Sequence, residues 1–245
     1  TRVIARRLLF FQELSSTMDE AARQAAAGTE EGTVVVAESQ TASRGRMGRS
    51  WVSRQGNLYF SVVLRPTIHT LRLLNIIGGV ATCRAIRKVA GLEPSIKWPN
   101  DVHLNRKKVA GILVESVVTS ERVCYAVLGI GINVDLDTSS VEGLAGRITS
   151  LRDVGRSVPR EDLLRQLLQE LDVLYVQAVH GRSPLVEWRG LLETLGQRVK
   201  VEWRGEVHLG QAEDLDEIGN LQLRLDDGSL ISLTTGDVSL MDPKD

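Results

Sequence analysis

The chain has 245 residues, 42% of them hydrophobic and 25% charged, which is ordinary for a globular protein and excludes a mostly disordered chain or a collagen-like fibre. No run approaches 18 apolar residues, and residues 1–12 carry no apolar leader with a small-residue cleavage pattern, so no membrane span or secretory signal is expected. The net charge of −1 conceals an asymmetry: residues 1–198 hold 26 Lys and Arg against 20 Asp and Glu, and residues 199–245 hold 4 against 11. A mildly basic body with an acidic tail points to two modules, and the modest excess suits a small anionic ligand better than a long nucleic-acid track. Cys83 and Cys124 have no CxxC or His at metal-ligand spacing. They read as small core residues of a reduced, cytoplasmic protein.

In chain order, Ser16 is placed to cap a helix over residues 17–27, with Asp19 and Glu20 near its positive end. A buried strand follows at 33–38, then a polar loop over 40–57, and a strand at 58–64 that stops before Pro66. Residues 71–89 have helical spacing, with Leu74, Ile77, Ala81 and Ala85 on one face. Short strands are expected at 95–98 and 102–104. Asn105-Arg106 makes a turn into a strand at 107–116, and a further turn at 119–121 leads into a strand at 123–134. Residues 159–178 carry a broad leucine stripe behind Pro159, and a helix over 184–195 closes at Gly196. Beyond Arg198 the pattern becomes short strands at 199–203, 206–209, 221–225 and 230–233, punctuated by glycine. The class is therefore α+β: a mixed, largely antiparallel sheet with helices over residues 1–196, then a small β-barrel over 197–245.

The chemistry begins with absences. There is no P-loop, HExxH, GxSxG or EF-hand loop, and the four histidines are scattered, reading as surface or core residues. Four segments stand out. In Ser43-Arg44-Gly45-Arg46-Met47-Gly48-Arg49-Ser50-Trp51, arginines alternate with small residues, which suits planar recognition of phosphate or carboxylate. The same pattern also fits a solvated loop or a short nucleic-acid segment. Lys97-Trp98-Pro99-Asn100-Asp101 gathers a cation, an amide and a carboxylate around a rigid core, or is simply a turn. Lys107-Lys108 opens an apolar strand ending at Glu115, where lysines can also blunt an edge. Gly129-Ile130-Gly131 before Asn133 is either a bulged strand or the floor of a pocket; it does not complete a dinucleotide fingerprint. Together they describe a site for a polyanion and a carboxylate.

In this order the four segments resemble the biotin protein ligases, the biotin–[acetyl-CoA-carboxylase] ligases in particular. Ser16-Thr17, Glu38-x-Gln40-Thr41 and the closing Gly236-Asp237-Val238-Ser239-Leu240 extend the likeness over nearly the whole chain. The resemblance implies a biotin/lipoate ligase-like domain followed by an SH3-like barrel. It implies a two-step reaction with biotin, ATP and Mg²⁺: formation of biotinyl-5′-AMP, then transfer to a lysine of a biotin carboxyl carrier domain. It assigns biotin binding to Ser16, Thr17, Gln40, Arg44, Trp51 and Lys108, and nucleotide binding to Arg46, Arg49, Lys97, Asn100 and Asn133. Lys108, Arg44 and Asp101 take the catalytic roles, with Asp101 as base or orienter for the carrier lysine; metal ligands are unknown. Because Ser16-Thr17 comes so early, the resemblance is to a monofunctional ligase without an N-terminal DNA-binding domain. No DNA or membrane partner is expected, and a homodimer through sheet edges near residues 107–116 is possible. Ser43, Met18 and Met241 depart from common family residues. Two other readings remain: a lipoate ligase or octanoyltransferase of the same superfamily, and a nucleic-acid or adaptor protein using the arginine loop.

Overall fold

The computed structural model describes residues 1–120, 122–144 and 146–241. Its frame is a seven-stranded mixed sheet in the order β1-β2-β3-β7-β6-β5-β4. β1 (Arg7–Leu14) lies at one edge and pairs in parallel with β2 (Thr33–Gln40). Two parallel neighbours need a crossover, and α1 (Thr17–Ala26) supplies it. Ser16 caps α1 as expected, its Oγ accepting from Met18 N. β1 was not anticipated. It is an edge strand that leaves Leu8 and Phe10 exposed, and its sequence runs apolar residues together instead of alternating them.

The other strands pair antiparallel: β3 (Leu58–Leu64), β4 (Ser95–Lys97), β5 (Asp101–Leu104), β6 (Lys107–Val118) and β7 (Val123–Ile132). The β6–β7 reversal is closed by Thr119 N to Arg122 O at 2.9 Å. Residue 121, the last of the turn expected at 119–121, lies outside the described residues. Alternation on β2 and β3 serves two cores. Val35 and Val63 pack with Met18, Ala21 and Ala25 of α1, whereas Val34, Val36, Phe60 and Val62 join the main core. On that second side lie α2 (Ile68–Ala90) and α3 (Arg160–Val179). α2 starts three residues earlier than its apolar pattern indicates, because Thr67 caps it through Thr70 N.

The helix expected over 184–195 is shorter, α4 (Leu185–Leu191). Residues beyond it are drawn to β4 instead. Leu192 bridges Ile96, Glu193 N donates to Ile96 O at 2.9 Å, and Thr194 Oγ1 accepts from Trp98 N. The C-terminal unit is a five-stranded antiparallel sheet in the order β11-β10-β9-β8-β12. It comprises β8 (Arg198–Trp203), β9 (Glu206–Leu215), β10 (Leu221–Leu225), β11 (Leu230–Leu233) and β12 (Asp237–Leu240). Its pairing among the described residues is an open run, with β11 and β12 at its ends. Gly210 does not end β9 as punctuation. A Cβ there would lie 2.2 Å from Arg224 O, so only glycine permits the close approach to β10. The unit is joined to the larger sheet through Trp98, whose buried indole donates to Gly219 O at 3.0 Å.

Cys83 is buried, and burial pushes its thiol up to about 12; Cys124, expected in the core, is only half-buried. The N-terminal segment is held by one carboxylate. Asp172 of α3, only 4% exposed, accepts from the backbone N–H groups of Arg2, Val3 and Ile4 at 2.6–2.8 Å. Burial alone would raise this carboxyl, but the three donors hold it below the ordinary range. Its stabilisation is therefore complete above the unfolded value of about 3.9 and is lost as pH falls through the lower folded value. Asp172→Ala should cost about 2–3 kcal/mol at pH 7, and the deficit should shrink below pH 4. Denaturant titrations at the two pH values would check both statements.

Candidate functional site

The sheet, the arginine loop and β12 enclose a cavity of about 850 Å³. All the residues assigned to the site from sequence line it: Ser16, Thr17 and Gln40 at the α1–β2 corner; Arg44, Arg46, Arg49 and Trp51 on the loop; Lys97, Asn100, Asp101, Lys108 and Asn133 along the sheet.

The floor is built from small residues. Gly111 of β6 and Gly131 of β7 are register partners. A Cβ on Gly111 would come within 2.9 Å of the Trp51 ring, and one on Gly131 within 3.0 Å. The glycine pair thus forms the slot in which the indole lies. Trp51 Nε1 is buried there with no hydrogen-bond partner among the described residues. Met18 lies over Gly129 in the same way; a Cβ would meet its sulfur at 2.4 Å.

The α1–β2 corner is already pre-ordered. Gln40 Oε1 accepts from Thr17 N at 2.7 Å, Gln40 Nε2 donates to Ser53 Oγ at 2.9 Å, and Ser61 Oγ donates to Thr17 Oγ1 at 2.9 Å. Ser43 ties the two ends of the loop together. Its Oγ donates to Trp51 O at 2.7 Å and lies 2.7 Å from Ser53 Oγ, just below the Arg44–Ser50 bridge.

Each loop arginine meets a protein group. Arg44 pairs in a fork with Glu115 at 2.9–3.0 Å and with Asp19 at 2.7 Å; the Glu115 bond, above all, holds its pKa above the usual arginine value. Its charge is therefore met by α1 and β6 without any ligand. Arg46 donates to Asn100 Oδ1 at 2.7 Å and to Thr235 Oγ1; burial lowers its pKa, which makes an added anion there favourable. Arg49 pairs with Asp237 of β12. On the sheet, Lys108 Nζ lies 2.7 Å from Asp101 Oδ1 and 5.1 Å from the Trp51 ring centroid. Lys97 has no ion-pair partner among the described residues. Asn133 is buried, with its Nδ2 committed to Thr149 O at 3.0 Å.

The sequence reading missed three contributors. Asp237 lies 188 positions from the arginine it pairs with. Arg147, outside any motif, also lines the cavity. His103, read as an ordinary histidine, lines it too, with its ring facing Glu193 at 2.7 Å. Among the described residues no group of three or more His, Cys, Asp or Glu could hold a metal ion, and no helix is long and apolar enough to cross a membrane.

Hydrogen exchange over residues 43–50 should slow when an anionic ligand fills the cavity and engages the three loop arginines. Equal exchange in both states would mean that Glu115, Asp19, Asn100 and Asp237 already suffice.

Residues 10–133 match the biotin/lipoate A/B protein ligase family, and residues 194–241 match the biotin protein ligase C-terminal domain. The chain belongs to the biotin/lipoate protein ligase family. Its relatives include the bifunctional ligase/repressor BirA of Bacillus subtilis, 34% identical over 93% of this chain and 72% of the relative. Another is the biotin–[acetyl-CoA-carboxylase] ligase of Mycobacterium tuberculosis, 33% identical over 91% of this chain and 85% of the relative. A solved biotin protein ligase from Aquifex aeolicus in complex with biotin and ATP superposes with a TM-score of 0.81 at 28% identity, covering 96% of this chain and 99% of that one. The ligase fold of the family explains why the four motifs converge: each occupies a strand or loop end around the same glycine-floored slot.

Proposed function

We propose that this ligase-family chain activates biotin as biotinyl-5′-AMP at the expense of ATP and transfers it to a lysine of a biotin carboxyl carrier domain, that of acetyl-CoA carboxylase. The observation that carries this reading is Lys108, which stands between the tryptophan packed on its glycine floor and a set of cations. The apolar faces that Trp51 and Met18 turn to the cavity suit the apolar body of biotin; Ser16, Thr17 and Gln40 offer the hydrogen bonds its ureido ring needs. Arg46, Arg49 and Lys97, with Asn100 and Asn133, then receive the nucleotide. Residues 1–196 form the catalytic domain in this reading, and residues 197–245 the C-terminal unit, which latches the loop through Thr235 and Asp237.

The physical problem is repulsion. Two unit charges 4 Å apart repel by about 4 kcal/mol at an effective dielectric of 20, and a triphosphate multiplies that cost. Preorganised cations offset it without reorganising during the reaction. Mg²⁺ arrives with the nucleotide as a substrate ion, since such ions keep much of their own water and use substrate phosphates as ligands. The protein works in the cytoplasm in this reading. β6 runs beyond β5, so among the described residues 113–118 have no strand on one side; a homodimer in this reading uses that edge, which sedimentation would detect.

The deciding experiment is a mass measurement. With ATP and Mg²⁺, biotin should yield biotinyl-AMP and then a carrier domain heavier by one biotinyl group. Lipoyl-AMP formed in preference to biotinyl-AMP would assign the lipoate branch instead.

A further inference from the structure

Two residues that no motif includes meet at the wall of the cavity. His103 of β5 is 6% exposed and carries its Nδ1 2.7 Å from Oε1 of Glu193. Both atoms are buried, and among the described residues neither makes a hydrogen bond of good geometry, so the 2.7 Å approach is a close ion-pair contact between two otherwise unsatisfied groups. The other Glu193 oxygen accepts from Ser95 Oγ at 2.6 Å. Burial would raise the Glu193 carboxyl, but His103, Ser95 and the more distant Arg106 together hold it below its usual range. It is an anion fixed behind a ring.

The ring lies beside the reacting groups. Asp101 and His103 are two apart on β5, hence on one face of the strand. Lys108 is the cross-strand partner of His103 on β6, and Ser95 is its partner on β4. Glu193 closes over this face from the segment after α4, Arg106 stands in the hairpin turn, and Lys97 lies diagonally across on β4. The face also carries the Asp101–Lys108 ion pair. A buried His–Glu pair is no strong source of stability, because desolvating both groups offsets their attraction. Found in a cavity beside a carboxylate and a lysine, it is better suited to moving a proton. A neutral ring that carries its proton on Nδ1, the nitrogen beside Glu193, keeps Nε2 as an acceptor.

We propose that His103, held by Glu193, takes the proton that the carrier lysine must lose before it attacks biotinyl-AMP. This rests on the ligase reading above. The ammonium gives one proton to Nε2, and the free amine then attacks the acyl carbon. The C–N bond forms as the bond from that carbon to the phosphate oxygen breaks, and its electron pair leaves with AMP. The nitrogen's second proton goes to the departing phosphate or to water, and His103 returns its proton to solvent. Asp101 attracts and aligns the ammonium, while His103 accepts from it.

The test begins with enzyme already loaded with biotinyl-AMP, so adenylation does not enter. Loaded wild type, His103→Gln and Glu193→Gln are mixed with an excess of carrier domain, or with hydroxylamine, across a range of pH. Hydroxylamine is already unprotonated at neutral pH and needs no base. His103→Gln should slow transfer to the carrier by about a hundredfold at neutral pH, in the range general bases contribute, and should abolish an inflection of the wild-type pH profile. Its reaction with hydroxylamine should match wild type. Glu193→Gln, which keeps a hydrogen-bonding group, should displace the inflection and serves as the second test if His103→Gln does not fold. Equal slowing of both nucleophiles, or an unchanged carrier rate and profile, would overturn the proposal. Wild type that forms no biotinyl-AMP would instead defeat the ligase reading itself.

Discussion

Lys108→Ala should reduce the rate of adenylate formation by about a hundredfold or more, the scale seen when a preorganised charge is removed from a transition state. The side chain is placed for this. Its ammonium lies between Asp101 and the Trp51 ring, at the junction of slot and cations. Asp101 satisfies it in the free protein; in the proposed reaction a biotin carboxylate arriving over Trp51 would compete for the same charge. The acyl-phosphate then concentrates negative charge where Lys108 already stands. The fold should survive, because both partners of the pair are about a quarter exposed and water can replace the lost ammonium. Lys107→Ala is the internal control. Lys107 is exposed, it pairs with Leu104 instead of His103, and its side chain leaves the opposite face of β6. Single-turnover adenylation with both variants, checked against their melting temperatures, separates chemistry from stability. Near-normal adenylation by folded Lys108→Ala would remove the residue from the mechanism.

What could be read in advance divides by distance along the chain. The arginine loop, Lys97–Asp101 and Lys107–Glu115 are legible because their residues act within a few positions of one another, and glycine next to arginine is an unusual local choice. The α2 and α3 helices are legible from apolar periodicity because each buries one broad face. β1 was not, since an edge strand need not alternate and Leu8 and Phe10 remain exposed. The end of α4 was misplaced because Leu192 and Thr194 are claimed by Ile96 and Trp98, a tertiary demand with no local signal. That same demand carries Glu193 to His103, 90 positions away. The Arg49–Asp237 and Arg46–Thr235 contacts are invisible for the same reason: they join the loop to a different sheet. Ser43 could be marked as a departure, but its bonds to Trp51 and Ser53 needed the folded loop to be seen.

Asp101→Asn should separate the two half-reactions. The carrier lysine, with an ordinary pKa of about 10.4, arrives as an ammonium and must be drawn into line before it is deprotonated. Asp101 is the carboxylate that faces this part of the cavity, held by Lys108 at 2.7 Å and followed two residues later by His103. In the proposed reaction, once biotin is adenylated Lys108 would turn to the acyl-phosphate and release Asp101 to meet the incoming amine. Asparagine keeps the size of the side chain and removes the charge. Transfer should therefore slow by roughly tenfold or more, in keeping with the loss of an orienting charge or of a proton acceptor. Adenylate formation should change less, because Lys108 remains and loses only a competitor. The form of the defect tells which role Asp101 plays. If it attracts the ammonium, the loss appears mainly as a higher KM for the carrier and fades at saturating carrier. If it takes the proton itself, the single-turnover rate stays low at any carrier concentration, and His103 is not the acceptor. If it only shapes the turn after Pro99, both half-reactions proceed at the wild-type rate, and that result would strip Asp101 of any part in the chemistry.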